Sequence, residues 1–364
     1  MRIPFVNIID QNRQLEKYFI DNLHKLIASG MYILGQSVID FENRFAEYCG
    51  TKYAVGVNSG TDALIFALKA LDIGPGDEVI TVPNSFIATA SSIIACGAKP
   101  IFVDVGLDYN IDGRLVKNAI TKKTKAILPV HLTGRPAEMK TLFELAALYQ
   151  LPIIEDAAQA VGAEWHGKKV GSLGNIGCFS LHPLKVLGGL GDGGILTTDD
   201  KNIYDRLQKL RNFGLEGRNS VLTWGTNSRL DALQAAFLQV KINFLDQWID
   251  ERRRIASEYR QRLKNIVQIP EEESNLKAVY QTFIIQAEFR DELAIFLQKK
   301  SIETKVHYPV PLHLQPLIKK VVGEIKTCVN AEKMSNKILS LPIYPEISSD
   351  AVDYIVTSIK EFYG

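Results

Sequence analysis

Tyr53-Ala54-Val55-Gly56-Val57-Asn58-Ser59-Gly60-Thr61-Asp62-Ala63-Leu64 reads as a buried strand that runs straight into a capped helix. An uncharged apolar run of this length suits a strand covered on both faces. Ser59 fits the helix N-cap, and Asp62 three residues later completes a capping-box arrangement. The theme then recurs. Glu78-Val79-Ile80-Thr81-Val82, Ile101-Phe102-Val103, Ala126-Ile127-Leu128-Pro129-Val130 and Ile153-Ile154 are further short β-branched runs. Between them, Thr61 to Leu71, Phe86 to Cys96, Leu115 to Ile120 and Ala137 to Tyr149 read as helices. Such alternation predicts an α/β fold with a mostly parallel sheet wrapped by helices.

Upstream, residues 15 to 50 have amphipathic helical spacing, broken around Gly30 to Gly35. Downstream, Gly177 to Leu181 and Gly194 to Thr198 read as two more strands around a glycine-rich turn. The pattern changes from Ser228. Residues 231 to 266 form one long helical stretch with room for a kink. A strand near Tyr280 to Gln286 follows, with helices near Asp291 to Lys300, Ala331 to Leu339 and Ser349 to Phe362. The expected division is a large domain over 1–240, N-terminal helices included, and a smaller C-terminal α+β domain over 241–364.

A chain of 364 residues with 46% hydrophobic content can bury cores of that size. Lys plus Arg number 42 and Asp plus Glu 41, a formal net charge of +1. That balance gives no electrostatic footprint for nucleic acid or an anionic membrane surface. Cys49, Cys96, Cys178 and Cys328 are scattered without C-x-x-C spacing, so no zinc or other metal site and no redox pair is expected. Met1 to Asn7 lacks a charged-then-apolar leader pattern, and no apolar run is long enough to span a bilayer. The expectation is a soluble, cytoplasmic protein.

Three segments carry candidate chemistry. Ser59-Gly60-Thr61 offers unpaired backbone N–H groups and a hydroxyl, a ready phosphate seat, although an ordinary capped helix has the same sequence. In Ile153-Ile154-Glu155-Asp156-Ala157-Ala158-Gln159 an acid ends an apolar strand, where ligands of open α/β sheets gather. Asp156 could pair there with a protonated heterocyclic nitrogen and Gln159 could donate to a ring oxygen; a simple N-cap is the other reading. Lys185 lies between a strand and a turn with five glycines in the seven positions Gly188 to Gly194. That density suits close backbone approach to a ligand, and a lysine so placed can form an imine with a carbonyl cofactor.

Together these residues resemble the DegT/DnrJ/EryC1/StrS aminotransferases, pyridoxal-5′-phosphate (PLP) enzymes of fold type I, the aspartate aminotransferase-like architecture. The strongest pieces are Ser59-Gly60-Thr61, Gly76-Asp77-Glu78-Val79, Glu155 to Gln159, Ser180 to Lys185, Gly191-Asp192-Gly193-Gly194 and Asn227-Ser228-Arg229-Leu230-Asp231. The resemblance implies that Lys185 carries PLP as a Schiff base and moves the reacting proton. It implies that Asp156 pairs with the pyridinium nitrogen, Gln159 supports the ring hydroxyl and Phe86 stacks on the ring. Gly60, Thr61 and Ser180 would hold the phosphate, with Asn227 reaching across a homodimer to the partner's cofactor. Arg229, His307 and Tyr308 would line the substrate side, and His182 joins Lys185 and Asp156 as a catalytic candidate.

The implied reaction is amino transfer from an amino acid, usually glutamate, through the pyridoxamine phosphate form, to a dTDP- or UDP-linked keto sugar. Such chemistry belongs to amino-sugar biosynthesis for surface polysaccharides or glycoconjugates. The 191–194, 227–229 and 306–309 segments resemble the branch acting at a C-3 keto group, whereas His182 resembles the C-4 branch; C-3 is favoured. A keto-inositol (cyclitol) aminotransferase is the alternative substrate reading, and a non-catalytic regulator on the same scaffold is the alternative class. A related dehydratase places histidine where this chain has Lys185, which speaks against it.

Overall fold

The strand-helix alternation closes into one sheet in the computed structural model, which describes residues 1–323 and 326–364. Its strands are β1 (Tyr53–Val57), β2 (Glu78–Thr81), β3 (Lys99–Phe102), β4 (Thr124–Ile127), β5 (Ile154–Asp156), β6 (Ile176–Ser180) and β7 (Gly194–Thr198). Parallel ladders join β2 to β3 through Ile80↔Ile101, β2 to β4 through Ile80↔Ile127, and β5 to β6 through Asp156↔Cys178. Parallel bridges Ile127↔Ile153 and Val130↔Asp156 carry the sheet from β4 to β5. The order is β1-β7-β6-β5-β4-β2-β3, with β7 antiparallel to both neighbours. The link from β6 to β7 contains no helix, so the chain returns alongside itself instead of crossing over. The mostly parallel sheet expected from the apolar runs is present.

Helices α1 (Ile8–Ser29), α2 (Gln36–Cys49), α3 (Gly60–Ala70), α4 (Ile87–Ala95), α5 (Met139–Tyr149) and α6 (Lys201–Leu210) cover this sheet. The break between α1 and α2 contains Gly30 in the left-handed region, where the first helix stops. The long helical stretch after Ser228 is divided. A 3-10 turn at Ile242–Phe244 separates α7 (Ala232–Lys241) from α8 (Leu245–Leu263). No helix among the described residues is long and apolar enough to cross a membrane.

The C-terminal part pairs β8 (Phe283–Gln286) antiparallel with β9 (Ile338–Leu341), through Ile285↔Leu339. Helices α9 (Arg290–Lys299) and α10 (Ser349–Tyr363) pack over them around Phe283, Leu293, Leu297, Leu341 and Ile355. Ile3 enters this same core and bridges in parallel to Ile302. One expectation needs correcting here: Ala331 to Leu339 is not a single helix. The helix ends at Ser335, and Ile338 to Leu341, all buried, form β9. Pairing with β8 buries both faces of that apolar run, and tertiary context overrides its helical spacing.

Candidate active site

The parallel strands β2, β4, β5 and β6 end on one side of the sheet, and the segments leaving them wall a cavity of about 490 Å³. Gly60, Thr61, Phe86, Asp156 and Gln159 line it. So do Ser180, His182, Lys185, His307 and Tyr308. Gly60, Phe86, Asp156 and Ser180 converge because strand ends of an open α/β sheet share one crevice, and the C-terminal part adds His307 and Tyr308.

At one end lies the helix start foreseen from the sequence. The Ser59 hydroxyl accepts from the Asp62 N–H at 3.1 Å, a cap of the kind that contributes about 1 kcal/mol. The N–H groups of Gly60 and Thr61 have no intrahelical acceptor and are available to an anion. Glycine is required here. A Cβ on Gly60 would sit 2.7 Å from the Ser180 Cβ, and one on Gly194 would overlap the Ser59 carbonyl. Without side chains at those two positions, α3 can start directly against the ends of β6 and β7.

At the other end Asp156 closes β5 and is 4% exposed. Its Oδ2 accepts from the Thr89 hydroxyl at 2.7 Å and its Oδ1 from the Ala158 N–H at 3.2 Å. Burial raises its pKa above the usual carboxylate range, opposed by those two bonds and by the charges of Lys185 and His131. Lys185 shows the converse. Burial pulls its ammonium below the ordinary lysine value, and only the Asp156 charge pulls the other way. A carboxylate and an amine that each resist ionisation, coupled across one cavity, are groups whose charge responds to what binds between them.

The lysine turn is held by side chains from later segments of the chain. The Lys185 N–H donates to the His182 carbonyl at 2.8 Å. The Gln281 side chain accepts from Val186 N–H at 2.9 Å and donates to the Leu184 carbonyl at 2.8 Å, bracketing the lysine. The buried Lys241 ammonium donates to the Gly188 carbonyl at 2.8 Å. Gln159 is fixed too: its Oε1 accepts from Thr133 N–H at 2.9 Å and its Nε2 donates to the Tyr308 hydroxyl at 3.2 Å. Phe86 caps α4 and stands 56% exposed as a cavity wall, its ring 6.0 Å from that of Tyr308.

On the C-terminal side, His307 Nδ1 shares a hydrogen bond with the Ser340 hydroxyl at 2.9 Å. Burial, then the charges of Lys185 and Lys305, push its pKa down to about 4, so the ring is neutral at pH 7. Tyr308 is pushed up to about 12 by burial and the Asp156 charge, and it keeps its proton. His182 is exposed at the cavity edge, its Nδ1 accepting from Leu184 N–H at 3.3 Å. Asn227 and Arg229 do not line the cavity of this chain. Asn227 is exposed and bridges to Asn212, while Arg229 donates to Asn212 Oδ1 at 3.1 Å and lies over the Phe213 ring.

Several cavity neighbours were not foreseen. Thr89, Gln281, Lys305 and Phe5 are single residues in helices, loops or the N-terminal segment, and none sits in a pattern that singles it out. Arg252 belongs to the basic run Glu251-Arg252-Arg253-Arg254, whose charge reads as a solvated helix face; the fold corrects that reading and buries Arg252 at 6% exposure. Glu155 had a signal, its place beside Asp156. The strand alternation turns it away from the cavity into a fully buried site, where it accepts from His131 Nε2 and from the N–H groups of Gly171, Leu173 and Gly174.

The donor set suits PLP. An acid that burial leaves short of a cation would suit a protonated ring nitrogen, a bracketed amine would suit the aldehyde, and a capped helix start with Ser180 would suit the phosphate. A dTDP-3-amino-3,4,6-trideoxy-alpha-D-glucose transaminase from Streptomyces venezuelae is 40% identical over 99% of this chain and 96% of its own length. A protein of Geobacillus stearothermophilus named a pleiotropic regulatory protein is also 40% identical, over 100% of this chain and 99% of its own. Among solved structures, DesV of S. venezuelae in complex with a ketimine intermediate superposes with a TM-score of 0.97 at 40% identity, covering 100% of this chain and 98% of that one. NtdA of Bacillus subtilis with bound cofactor PMP gives 0.92 at 29% identity, covering 99% and 85%. With the family model matching residues 13–360, the chain belongs to the DegT/DnrJ/EryC1/StrS aminotransferase family and has its PLP fold-type-I architecture.

Proposed function

We propose that this chain binds PLP on Lys185 and moves an amino group from an amino acid, glutamate in the first instance, to the C-3 keto group of a dTDP- or UDP-linked sugar. The observation that carries the reading is the meeting of Lys185, Asp156, Gln159, Ser180 and the Gly60–Thr61 helix start in one cavity. The C-3 preference draws on the S. venezuelae relative, a 3-amino sugar transaminase by name. When bound, PLP supplies an electron sink that makes a substrate C–H bond acidic. The protein's part is orientation and one mobile base. Asp156 takes its charged form against a cationic ring, Gln159 and Phe86 fix the ring plane, and Gly60, Thr61 and Ser180 anchor the phosphate. Lys185 Nζ, kept low in proton affinity by burial, accepts a proton and returns it. Neutral His307, protonated Tyr308 and exposed His182 face the substrate as hydrogen-bonding groups.

The homodimer belongs to this proposal. Trp224 is 92% exposed, and Phe213, Val221 and Leu222 beside it are exposed as well. Aromatic and aliphatic groups at that exposure, next to Asn227, suit a face covered by a second copy. Asn227 and Arg229 would then serve the partner's cavity. The division at residue 240, with a PLP domain over 1–240 and a smaller unit over 241–364, is also proposed. It is supported by the separate β8–β9 core.

The deciding experiment is borohydride reduction of the PLP-loaded protein, peptide mapping, and incubation with glutamate followed by nucleotide-linked C-3 keto sugars. The expected result is a label on Lys185, conversion of the cofactor absorbance by glutamate, and its return on adding a keto sugar. A label elsewhere would sink the assignment. The regulatory name of the G. stearothermophilus relative keeps a second reading in view. A cofactor absorbance that glutamate leaves unchanged would favour it.

A further inference from the structure

We propose that the cavity wall built by the C-terminal part is a carboxylate-recognition subsite centred on Lys305. The proposal rests on the reading of this cavity as a transaminase site and narrows its substrates to those that bring a carboxylate to that wall.

Lys305 lines the cavity, its backbone is fixed, and its side chain is exposed. Its N–H donates to the Ser340 carbonyl at 3.2 Å, and its own carbonyl accepts from the Ser340 N–H at 2.7 Å. This pairing holds the segment extended beside β9, where residues two apart share a face. Lys305 and His307 are such a pair, and both reach the cavity.

The charges around it are unbalanced. Among the described residues, no ion pair and no side-chain hydrogen bond engages Lys305. The carboxylate two positions earlier, Glu303, makes its contacts elsewhere, pairing with Arg2 at 3.2 Å and accepting from the Phe5 N–H at 3.2 Å, and it offsets the Lys305 charge only through space. Asp156 is bound to Thr89 and Ala158, and Asp192 lines the cavity beside Gly193, next to the helix start. Arg252 adds a second positive charge. It is 6% exposed, its Nη1 is shared between the carbonyls of Tyr280 and Ile343, and its Nε has no hydrogen-bond partner. Glu346 is the carboxylate that opposes its charge. The cavity lining therefore holds one exposed amine and one buried guanidinium, in a partly enclosed space where a charge contact is screened less than at an open surface.

The matching chemistry is a carboxylate, and two substrates of a sugar transaminase can bring one. A dicarboxylic amino donor has a second carboxylate beyond the reacting carbon, and a uronate sugar has one on its ring. Lysine suits either. Its ammonium is a compact charge on a flexible stem and imposes no fork geometry, so it can follow anions placed somewhat differently. Phe5 and Val6 form the adjoining wall, with Phe5 5.6 Å from the His307 ring, which leaves apolar surface for the aliphatic or ring carbons that carry the anion.

The test uses Lys305→Gln and Lys305→Glu in the PLP-loaded protein. Half-saturation constants are measured in the donor half-reaction for glutamate against glutamine, and in the acceptor half-reaction for uronate against neutral C-3 keto nucleotide sugars. The expected result is that one charged-to-neutral ratio rises about tenfold in Lys305→Gln and further in Lys305→Glu, with maximal rates within about threefold. The arm that moves identifies the substrate that brings the carboxylate. Where the donor arm moves, calorimetric binding of glutarate against butyramide gives a readout that needs no turnover, and only glutarate should weaken. Unchanged ratios in both arms would overturn the proposal. So would an equal loss for charged and neutral nucleotide sugars, which would assign Lys305 to the diphosphate. A wild-type protein that transaminates none of these compounds would defeat the functional reading instead, and the glutarate measurement would then decide on Lys305 alone.

Discussion

On the large-sheet wall of the cavity, Asp156 and Gln159 are 4% and 8% exposed, and every hydrogen bond around them points to a named partner. Facing them, Lys305 is exposed, while Arg252 Nε and Thr282 Oγ1 are buried without partners. The first wall is finished before any ligand arrives; the second has polar groups in reserve. Preorganised dipoles cost nothing to reorient during a reaction, so a cofactor wall gains from completeness. A wall that discriminates substrates gains from groups that only the right substrate satisfies, because a polar group left unpaired penalises the wrong one.

Changes on the first wall should therefore reduce rate for every substrate. Lys185→Ala removes the proposed base and cofactor linkage, and turnover should fall at least about a thousandfold with glutamate and with any other donor. Thermal midpoint should hold or rise, since a buried amine with depressed proton affinity is removed. Stopped-flow half-reactions check this; a rate within tenfold of wild type would end the division. Asp156→Asn keeps the shape and loses the charge. A reduction of about a hundredfold in both half-reactions is expected, again without substrate preference. A loss confined to one donor or one sugar would show that the two walls are not functionally separate.

Glu155 and Asp156 show how far this plan was legible in the sequence. Both end the same apolar run, and chain position marked Asp156 because strand ends collect ligands. The sequence could not show that Glu155 faces the other way and ties β5 to the 171–174 loop, since those partners are backbone N–H groups that every residue has. The sheet was readable because a strand buried on both faces is apolar throughout. β9 was not, because Ile338 to Leu341 continues a helical spacing and only the pairing with Phe283 to Gln286 makes it a strand. Lys305 was invisible for a similar reason: a lysine is a cavity residue only once the fold brings the cavity to it. Arg252 was misread as part of a solvated basic face, because charge along a helix does not show which side the fold covers.

Glu155→Gln tests that reading from the structural side. The amide would place two N–H donors among four existing donors in a fully buried site, at a cost of roughly 3 kcal/mol. Denaturant midpoint should drop accordingly, while kcat of the fraction that stays folded should change less than about fivefold. A kcat loss matching that of Asp156→Asn would mean the strand end works as one unit, and the distinction between the neighbours would fail.

The smallest expected effect comes from the second wall. His307 is held neutral in the folded protein down to about pH 4, against 6.5 for an ordinary histidine. Between those values the unfolded chain takes up a proton that the folded chain refuses, so folding stability falls as pH drops below 6.5 and is fully present above it. The upper limit is about 1.4 kcal/mol per pH unit. His307 is only part-buried, and solvent screening reduces that to about 1 kcal/mol in total between pH 7.5 and 5. His307→Asn can keep a hydrogen bond to Ser340 and cannot titrate in this range. Wild type should therefore lose about 1 kcal/mol more than the variant across that interval in paired denaturation curves. Lys185 and Lys305 contribute to the depression, so Lys305→Gln should recover part of the difference while leaving the neutral-pH midpoint unchanged. Identical pH slopes for wild type and His307→Asn would mean the imidazole protonates freely, and the substrate wall would then be wetter and less positive than its charges imply.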